Sequence, residues 1–271
     1  MTIRLVLAGC GNMGYAMLSG WLKSGKLAPS AVFVVEPNAE FRQRAKAQGC
    51  GTAADADAIP ADAVPALVVI AVKPQVIRDV TAAYKHFGDG RTTFVSIAAG
   101  TPVATFEAVL GDRAPIVRCV PNTPAAIGKG MMVLFSNQLV SDETKRFVAD
   151  LLSAIGEVAE IDDEGLMDAV TAVSGSGPAY IFHFIEALTV AAEHAGLPAK
   201  AAKLLVMQTV YGAASLAAER LEHPGLLRQR MTSPNGTTAA ALSVLMGGDR
   251  LANLLTEAVE AARLRSIELG K

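Results

Sequence analysis

Three glycines near the start of the chain have a spacing that suits phosphate binding. The apolar, β-branched segment 3–8 leads directly into Gly9-Cys10-Gly11-Asn12-Met13-Gly14, and a helical pattern follows. In this G-x-G-x-x-G arrangement, Gly9 permits a tight turn, Gly11 lets the backbone approach a pyrophosphate, and Gly14 lets the helix pack on the strand. Free N–H groups and the helix dipole would hold the phosphates at the helix N-terminus. The alternative is an ordinary strand-to-helix turn, but the flanking elements favour a dinucleotide site.

Residues 232–238 form a second candidate site, because they interrupt a helical part of the sequence. A Pro-Asn-Gly turn at 234–236 leads into Thr237, Thr238 and a helical run over 239–246. Such a turn presents several backbone N–H groups outward and suits a carboxylate ligand. The alternative is a capped helix in which Thr237 or Thr238 is the N-cap residue. The local sequence leaves both interpretations open.

Strands in the first part of the chain must position the glycine loop. Short β-branched runs alternate with helical stretches up to residue 161, which is typical of a parallel sheet covered on both faces. We predict strands at Ile3–Ala8, Val32–Glu36, Leu67–Ala71, Thr93–Ile97 and Ile116–Val120. Two further runs, Met131–Phe135 and Val158–Ile161, flank a predicted helix over 142–154 and are expected to extend the sheet.

Turns rich in glycine, proline and polar residues follow several of these strands, at 72–75, 98–102 and 121–124. In an open α/β sheet, ligands bind beyond the carboxyl ends of the strands. We therefore expect these turns and the glycine loop to line one crevice.

Glu36 ends the second predicted strand, where a Rossmann fold contacts the adenine ribose of its cofactor. A carboxylate there accepts hydrogen bonds from the ribose hydroxyls of NADH and repels the extra phosphate of NADPH, so we predict a preference for NADH. The alternative is that Glu36 turns outward while Arg42 or Arg44, in the following helix, binds that phosphate.

From Asp163 onward the sequence contains no strand pattern and reads as helices separated by glycine and proline. A helix must end within 173–180, and Pro178 is well placed to open the next one. Residues 201–218 are apolar on more than one side, so this helix must be buried all round. We expect a twofold dimer to supply that burial, the alternative being packing against the first domain. The predicted domains are 1–161 and 162–271.

Composition limits the classes of partner. The 271 residues are 51% hydrophobic and carry a net charge of -2 with no basic cluster, which argues against nucleic acid and anionic lipid. Three scattered cysteines and four histidines lack metal-ligand spacing, so no metal is expected. No signal peptide is expected, because the short apolar start continues into the glycine loop. No membrane span is expected either, because the most apolar segments are interrupted by residues 175–178, Glu186, Glu193 or Lys203 before they could cross a bilayer. We predict a cytoplasmic protein with reduced thiols.

The combined motifs closely resemble the pyrroline-5-carboxylate reductase family over nearly the whole chain. They are the glycine loop, Ala71-Val72-Lys73-Pro74, Ser96-Ile97-Ala98-Ala99-Gly100, Pro121-Asn122-Thr123-Pro124, Ser174-Gly175-Ser176-Gly177-Pro178-Ala179-Tyr180, and the segment His223-Pro224-Gly225 with Ser233 to Thr238. The resemblance implies an N-terminal Rossmann-type doubly wound sheet followed by an all-helical dimerisation domain. It also implies reduction of the cyclic imine Δ1-pyrroline-5-carboxylate to proline with NADH or NADPH, in a homodimer that some members assemble into rings.

The resemblance further implies individual roles. The substrate carboxylate would bind the loop made of Ser233, Pro234, Asn235, Gly236, Thr237 and Thr238. The Thr238 hydroxyl would contact the ring nitrogen, and Glu164 would lie in the substrate region. The cofactor would contact Gly9, Cys10, Gly11, Asn12, Met13, Gly14, Ala71, Val72, Lys73, Pro74, Ala98, Ala99 and Gly100. Hydride transfer to a protonated imine requires positioning and no covalent nucleophile.

Two departures from the family pattern stand out. Asn235 replaces a second glycine of many relatives, which is tolerable because asparagine enters the left-handed region readily. Arg230 replaces an asparagine of some relatives, and we assign it no role.

Two other functions are alternatives. A β-hydroxyacid dehydrogenase would carry a lysine four residues after the last glycine of its second motif, where this chain has Ile181. A dinucleotide-sensing regulatory protein would need no substrate loop, so the segment 233–238 argues against it.

Overall fold

An eight-stranded sheet organises the first part of the chain. The computed structural model describes residues 3–220 and 222–270. Within them the strands are β1 Leu5–Ala8, β2 Val32–Val35, β3 Gly51–Ala53, β4 Leu67–Ile70, β5 Thr93–Ser96, β6 Ile116–Val120, β7 Gly130–Ser136 and β8 Gly156–Glu160. Their order across the sheet is β3-β2-β1-β4-β5-β6-β7-β8. The order reverses between β1 and β4, which places the ligand crevice beyond the carboxyl ends of these two strands.

The predicted strands are all present, with ends that differ by no more than two residues. Strand β3 was not predicted, because Gly51-Thr52-Ala53 is short and lacks apolar alternation. It forms by pairing with the backbone of β2. Strand β7 departs from the predicted parallel arrangement and runs antiparallel to β6. The short connection at 121–129 cannot hold the crossover that a parallel neighbour needs.

Five helices cover the two faces of the sheet: α1 Asn12–Lys23, α2 Ala39–Ala47, α3 Ile77–Ala82, α4 Val103–Leu110 and α5 Asp142–Leu152. Alternate residues of β1 point to opposite faces. Leu5 and Leu7 pack in a cluster with residues of α1 and α5, whereas Val6 and Ala8 pack in a cluster with residues of α3 and α4. The sheet is therefore doubly wound, as expected.

The rest of the described chain is helical, as predicted. It contains α6 Met167–Val170, a π-helix at Thr171–Gly175, α7 Gly177–His194, α8 Ala199–Arg220, α9 Pro224–Arg230, α10 Thr237–Met246 and α11 Arg250–Leu269. The chain folds into two compact units. One unit runs to Ser176 and includes the chain from Ala262 onward, and the other is Gly177–Ala261. The predicted domain boundary at 161/162 follows the last strand, whereas the compact units divide at 176/177.

The second unit exposes large apolar side chains. In α8, Ala202 and Val206 are buried, but Leu204 and Tyr211 are 69% and 60% exposed. Within one chain, α8 is therefore not buried on all sides, although its apolar residues predict that it should be. The expectation that no segment could span a bilayer is not met by length and composition: among the described helices, α8 is the one long and apolar enough to do so, and little of that stretch is buried within the chain.

Candidate active site

The glycine loop has the geometry of a phosphate cradle. Gly9 has φ +93°, and a Cβ there would lie 2.6 Å from the Ala71 carbonyl oxygen. A Cβ at Gly14 would collide with the Gly9 carbonyl, whereas a Cβ at Gly11 would meet nothing within 4 Å. Gly11 is also the N-cap of α1, and no described side chain caps that helix. The open space at Gly11 and the uncapped N–H groups of α1 fit a pyrophosphate group.

Glu36 is fixed beside this loop. Its side chain is buried, Oε2 accepts the Cys10 N–H at 2.6 Å, and Oε1 accepts the Asn38 N–H at 2.8 Å. Arg42 donates to the carbonyl oxygens of Glu36 and Pro37. In this structure Glu36 is thus not turned outward, because both oxygens of its carboxylate are bound to backbone amides.

Arg44 also supports the loop. It donates to the Cys10 carbonyl oxygen at 3.2 Å and stacks over the rings of Tyr15 and Phe41. Burial, and to a lesser extent the Glu36 carboxylate, raise the pKa of the Cys10 thiol to about 11. The thiol therefore stays protonated at neutral pH, and Cys10 serves the loop through its backbone.

The other predicted cofactor turns lie along the same sheet edge. Ala71 follows β4, and its N–H donates to the Ala8 carbonyl at the end of β1. The turn at 98–102 follows β5, and Gly100 within it has φ +71°. The structure brings the glycine loop and the 71–74 turn into direct contact through Gly9. The 98–102 turn lies one strand further along.

Glu164, predicted to lie in the substrate region, forms an ion pair with a buried arginine and is itself only partly buried. Its Oε1 accepts a hydrogen bond from Arg118 Nη1 at 2.6 Å and from the Val103 N–H at 2.7 Å. Arg118 lies in the middle of β6, and its side chain is 6% exposed. The carboxylate therefore joins β6 to the start of α4.

Asn122 links the turn after β6 to the π-helix. Its side-chain amide donates to the Ser174 carbonyl at 3.2 Å, and its Oδ1 accepts the Met131 N–H at 2.8 Å. The break predicted within 173–180 is thus a widened helical turn followed by the start of α7, with Pro178 in its first turn. π-turns of this kind are frequent at functional sites.

The predicted substrate loop belongs to the second unit. Asn235 has φ +60°, so it does occupy the left-handed region. The N-cap of α10 is Gly236, and neither Thr237 nor Thr238 caps the helix. The capping alternative for these threonines is therefore wrong. Within the described residues, the backbone N–H groups at the start of α10 have no side-chain cap.

Two residues of this architecture were missed at the sequence level. Arg118 is a lone charge inside the apolar run 116–120, and a charge in a buried strand signals a partner elsewhere. Asn122 lies in the motif Pro121-Asn122-Thr123-Pro124, but its hydrogen bond to Ser174 joins residues that are 52 positions apart. The sequence does not show that two such distant residues are neighbours in the fold.

Comparisons with known proteins identify the family. A family model described as pyrroline-5-carboxylate reductase dimerisation matches residues 164–269. A second family model, whose description is "NADP oxidoreductase coenzyme F420-dependent", matches residues 4–100. The pyrroline-5-carboxylate reductase of Pseudomonas aeruginosa is 42% identical over 272 residues, covering 100% of this chain and 98% of its own. The chain belongs to the pyrroline-5-carboxylate reductase family.

Solved structures agree with this assignment. The pyrroline-5-carboxylate reductase of Coxiella burnetii has a TM-score of 0.93 at 36% identity, covering 100% of both chains. That of Plasmodium falciparum, solved with NADP bound, has a TM-score of 0.85 at 29% identity and covers 99% of this chain and 98% of its own. The resemblance predicted from the motifs is confirmed, as are the Rossmann-type sheet and the helical dimerisation domain. The family's enzymes are NAD(P)H-dependent oxidoreductases of the last step of proline biosynthesis.

Proposed function

We propose that this chain reduces Δ1-pyrroline-5-carboxylate to L-proline with NADH or NADPH, using the residues that the motifs predict. The observation that carries this proposal is the glycine loop, which leaves open space at Gly11 above an uncapped helix N-terminus. A loop with this opening suits the diphosphate of a dinucleotide. The full-length relatives supply the substrate class.

The cofactor would bind along the edge of the sheet. Its diphosphate would contact residues 9–14, and its remaining parts would contact residues 71–74 and 98–100. Glu36 would accept hydrogen bonds from the adenine ribose, because a carboxylate oxygen that already accepts one N–H keeps a further acceptor position. The nicotinamide ring supplies the hydride when it is bound.

The substrate would bind at residues 233–238. A carboxylate there would take hydrogen bonds from the uncapped backbone N–H groups at the start of α10. The Thr238 hydroxyl would meet the ring nitrogen of the imine and stabilise the change of charge there during reduction. Because the protonated imine is already electrophilic, these residues need only hold it in position for hydride transfer from the nicotinamide.

Assembly and location complete the proposal. The chain carries the family's dimerisation region, and we propose that its dimers join into a ring as in some members. We also propose a cytoplasmic location, since three cysteines without a disulfide suit a reducing compartment.

A spectrophotometric assay tests the activity. Addition of the cyclic imine to the purified protein with NADH or NADPH should lower the absorbance of the reduced nicotinamide. A preparation that is folded by circular dichroism yet consumes neither cofactor would contradict the proposed activity.

Replacement of Thr238 by alanine tests the substrate site. We expect kcat to fall by about one to three orders of magnitude, because a hydrogen bond to the reacting centre is lost. The dissociation constant for the cofactor should stay nearly unchanged. Thr237→Ala is the matched control, since its hydroxyl is not assigned a contact with the ring nitrogen. Equal kinetics for Thr238→Ala and the native protein would remove the proposed role.

A further inference from the structure

The turn between β5 and α4 leads into a helix that has no side-chain cap from its own N-cap residue. Helix α4 begins at Val103 after Pro102, and a proline side chain offers no acceptor to the first-turn N–H groups. Residues 98–102 precede this helix directly, so the position of its first turn sets the position of the turn that the cofactor is proposed to contact.

Glu164 supplies a cap from a distant part of the chain. Its Oε1 accepts the Val103 N–H at 2.7 Å, although the two residues are 61 positions apart. A carboxylate at a helix N-terminus is stabilised by the helix dipole, and a hydrogen bond to an ionised acceptor is stronger than a neutral one. The contact therefore fixes the start of α4.

Arg118 holds the same oxygen. Its Nη1 donates to Glu164 Oε1 at 2.6 Å, and its side chain is almost fully buried within β6. A buried arginine without its counter-ion is strongly unfavourable, so the two charges depend on each other. Because β6 lies inside the eight-stranded sheet, the contact with Arg118 fixes the position of the Glu164 carboxylate relative to the sheet.

The opposite side of the turn packs tightly against the end of α11. A Cβ at Gly100 would lie 2.9 Å from the Ser266 carbonyl oxygen. Ser266 is itself buried and donates to Asp168 Oδ1 at 2.6 Å. The turn is thus confined between two supports, one at Gly100 and one at Val103.

We propose that Glu164, with Arg118, is a positioning residue for the cofactor. The pair sets the 98–102 turn, so that Glu164 acts on cofactor binding through Val103 and does not act by touching the substrate. This inference rests on the proposed placement of the cofactor along that turn.

Equilibrium cofactor binding separates this role from a substrate contact. We would measure the dissociation constants of NADH and NADPH by fluorescence titration for the native protein, Glu164→Gln and Glu164→Ala. Glutamine keeps one oxygen for the Val103 N–H but loses the charge that pairs with Arg118. We expect about a threefold weakening of cofactor binding for Glu164→Gln and about tenfold for Glu164→Ala. The KM for the imine, at saturating cofactor, should change less than twofold.

Controls separate the turn from general charge and folding effects. Glu160→Gln removes an exposed carboxylate on β8 and should leave the cofactor constants unchanged. Should Glu164→Ala fail to fold, the double variant Glu164→Gln with Arg118→Met removes both charges of the ion pair and provides a second test. It should bind cofactor more weakly than the native protein, because the Val103 contact is no longer anchored to β6.

Two results would overturn the proposal. One is a raised imine KM in Glu164→Gln with native cofactor constants, which would make Glu164 a substrate contact. The other is native cofactor constants in every folded Glu164 variant. If the native protein binds cofactor but does not reduce the imine, the proposed function fails while the binding measurements still decide the role of Glu164.

Discussion

At the residue scale, the environment of Glu36 determines what its replacement should do. The carboxylate lies where the adenine ribose is expected, and both of its oxygens accept backbone N–H groups. We predict that Glu36→Ser raises the ratio of kcat/KM for NADPH over NADH by about five- to tenfold. Repulsion between the Glu36 carboxylate and the extra phosphate of NADPH should cost on the order of 1 kcal/mol or more of binding free energy. A difference of about 1.4 kcal/mol corresponds to a tenfold change in the ratio. Steady-state kinetics with both cofactors measure the ratio.

The loss of the Cys10 contact should also lower the efficiency with NADH, because the loop loses an acceptor. Glu40→Ser is a suitable control, since it removes an exposed carboxylate from the first turn of α2. A native protein that clearly prefers NADPH, or a Glu36→Ser variant with an unchanged ratio, would show that Glu36 does not select the cofactor.

The candidate site could be predicted from the sequence where its chemistry is local. The roles of Gly9, Gly11 and Gly14 follow from their spacing between a strand pattern and a helical pattern, and the geometry of each agrees with its expected role. The partnership of Arg118 and Glu164 could not be predicted, because 46 residues separate them and only the fold brings them together. The sequence shows a charge that needs a partner without showing which one.

At the element scale, two glycines at the junction of β1 and α1 should have different roles, one in cofactor binding and the other in stability. An alanine at Gly11 meets no neighbour, and its φ of -63° suits any residue, so Gly11→Ala should fold with a nearly native Tm. Its methyl group would occupy the space open to a phosphate, and cofactor binding should weaken by about tenfold or more. Fluorescence titration and thermal unfolding of the same preparation measure both effects.

Gly14→Ala is the matched comparison within the same helix. Its Cβ would press on the Gly9 carbonyl, and overpacking of this kind costs about 1–3 kcal/mol. We expect Tm to fall by several degrees for Gly14→Ala and much less for Gly11→Ala. A Gly11→Ala variant with native cofactor affinity would mean that the phosphates bind elsewhere.

Most of the sheet follows from local pattern, and the exceptions have physical reasons. Strands such as β1 and β4 are buried on both faces, so their apolar runs are continuous and easily recognised. Strand β3 contains Gly51 and depends on pairing with β2, which no local signal encodes. The π-helix likewise makes a tertiary contact that no local signal encodes, because Asn122 donates to the Ser174 carbonyl from another element.

At the scale of the whole molecule, the second unit has more apolar surface than one chain buries. Leu204, Met207 and Tyr211 of α8 are each about half exposed or more. A lipid bilayer or a second chain could cover such a helix, and the match to a dimerisation family favours the second chain.

We therefore predict that the purified chain is a dimer, or a multiple of a dimer, without detergent, and that Leu204→Glu weakens this assembly. A glutamate at a residue that is 69% exposed in one chain is tolerated by the monomer but costly when a partner covers it. Light scattering across a dilution series should show a lower mass for Leu204→Glu than for the native protein. Arg146→Glu changes charge at an exposed site on α5 in the other unit, and it should leave the mass unchanged. A native chain that is monomeric at micromolar concentration, or that requires detergent to stay in solution, would contradict burial of α8 by a second copy.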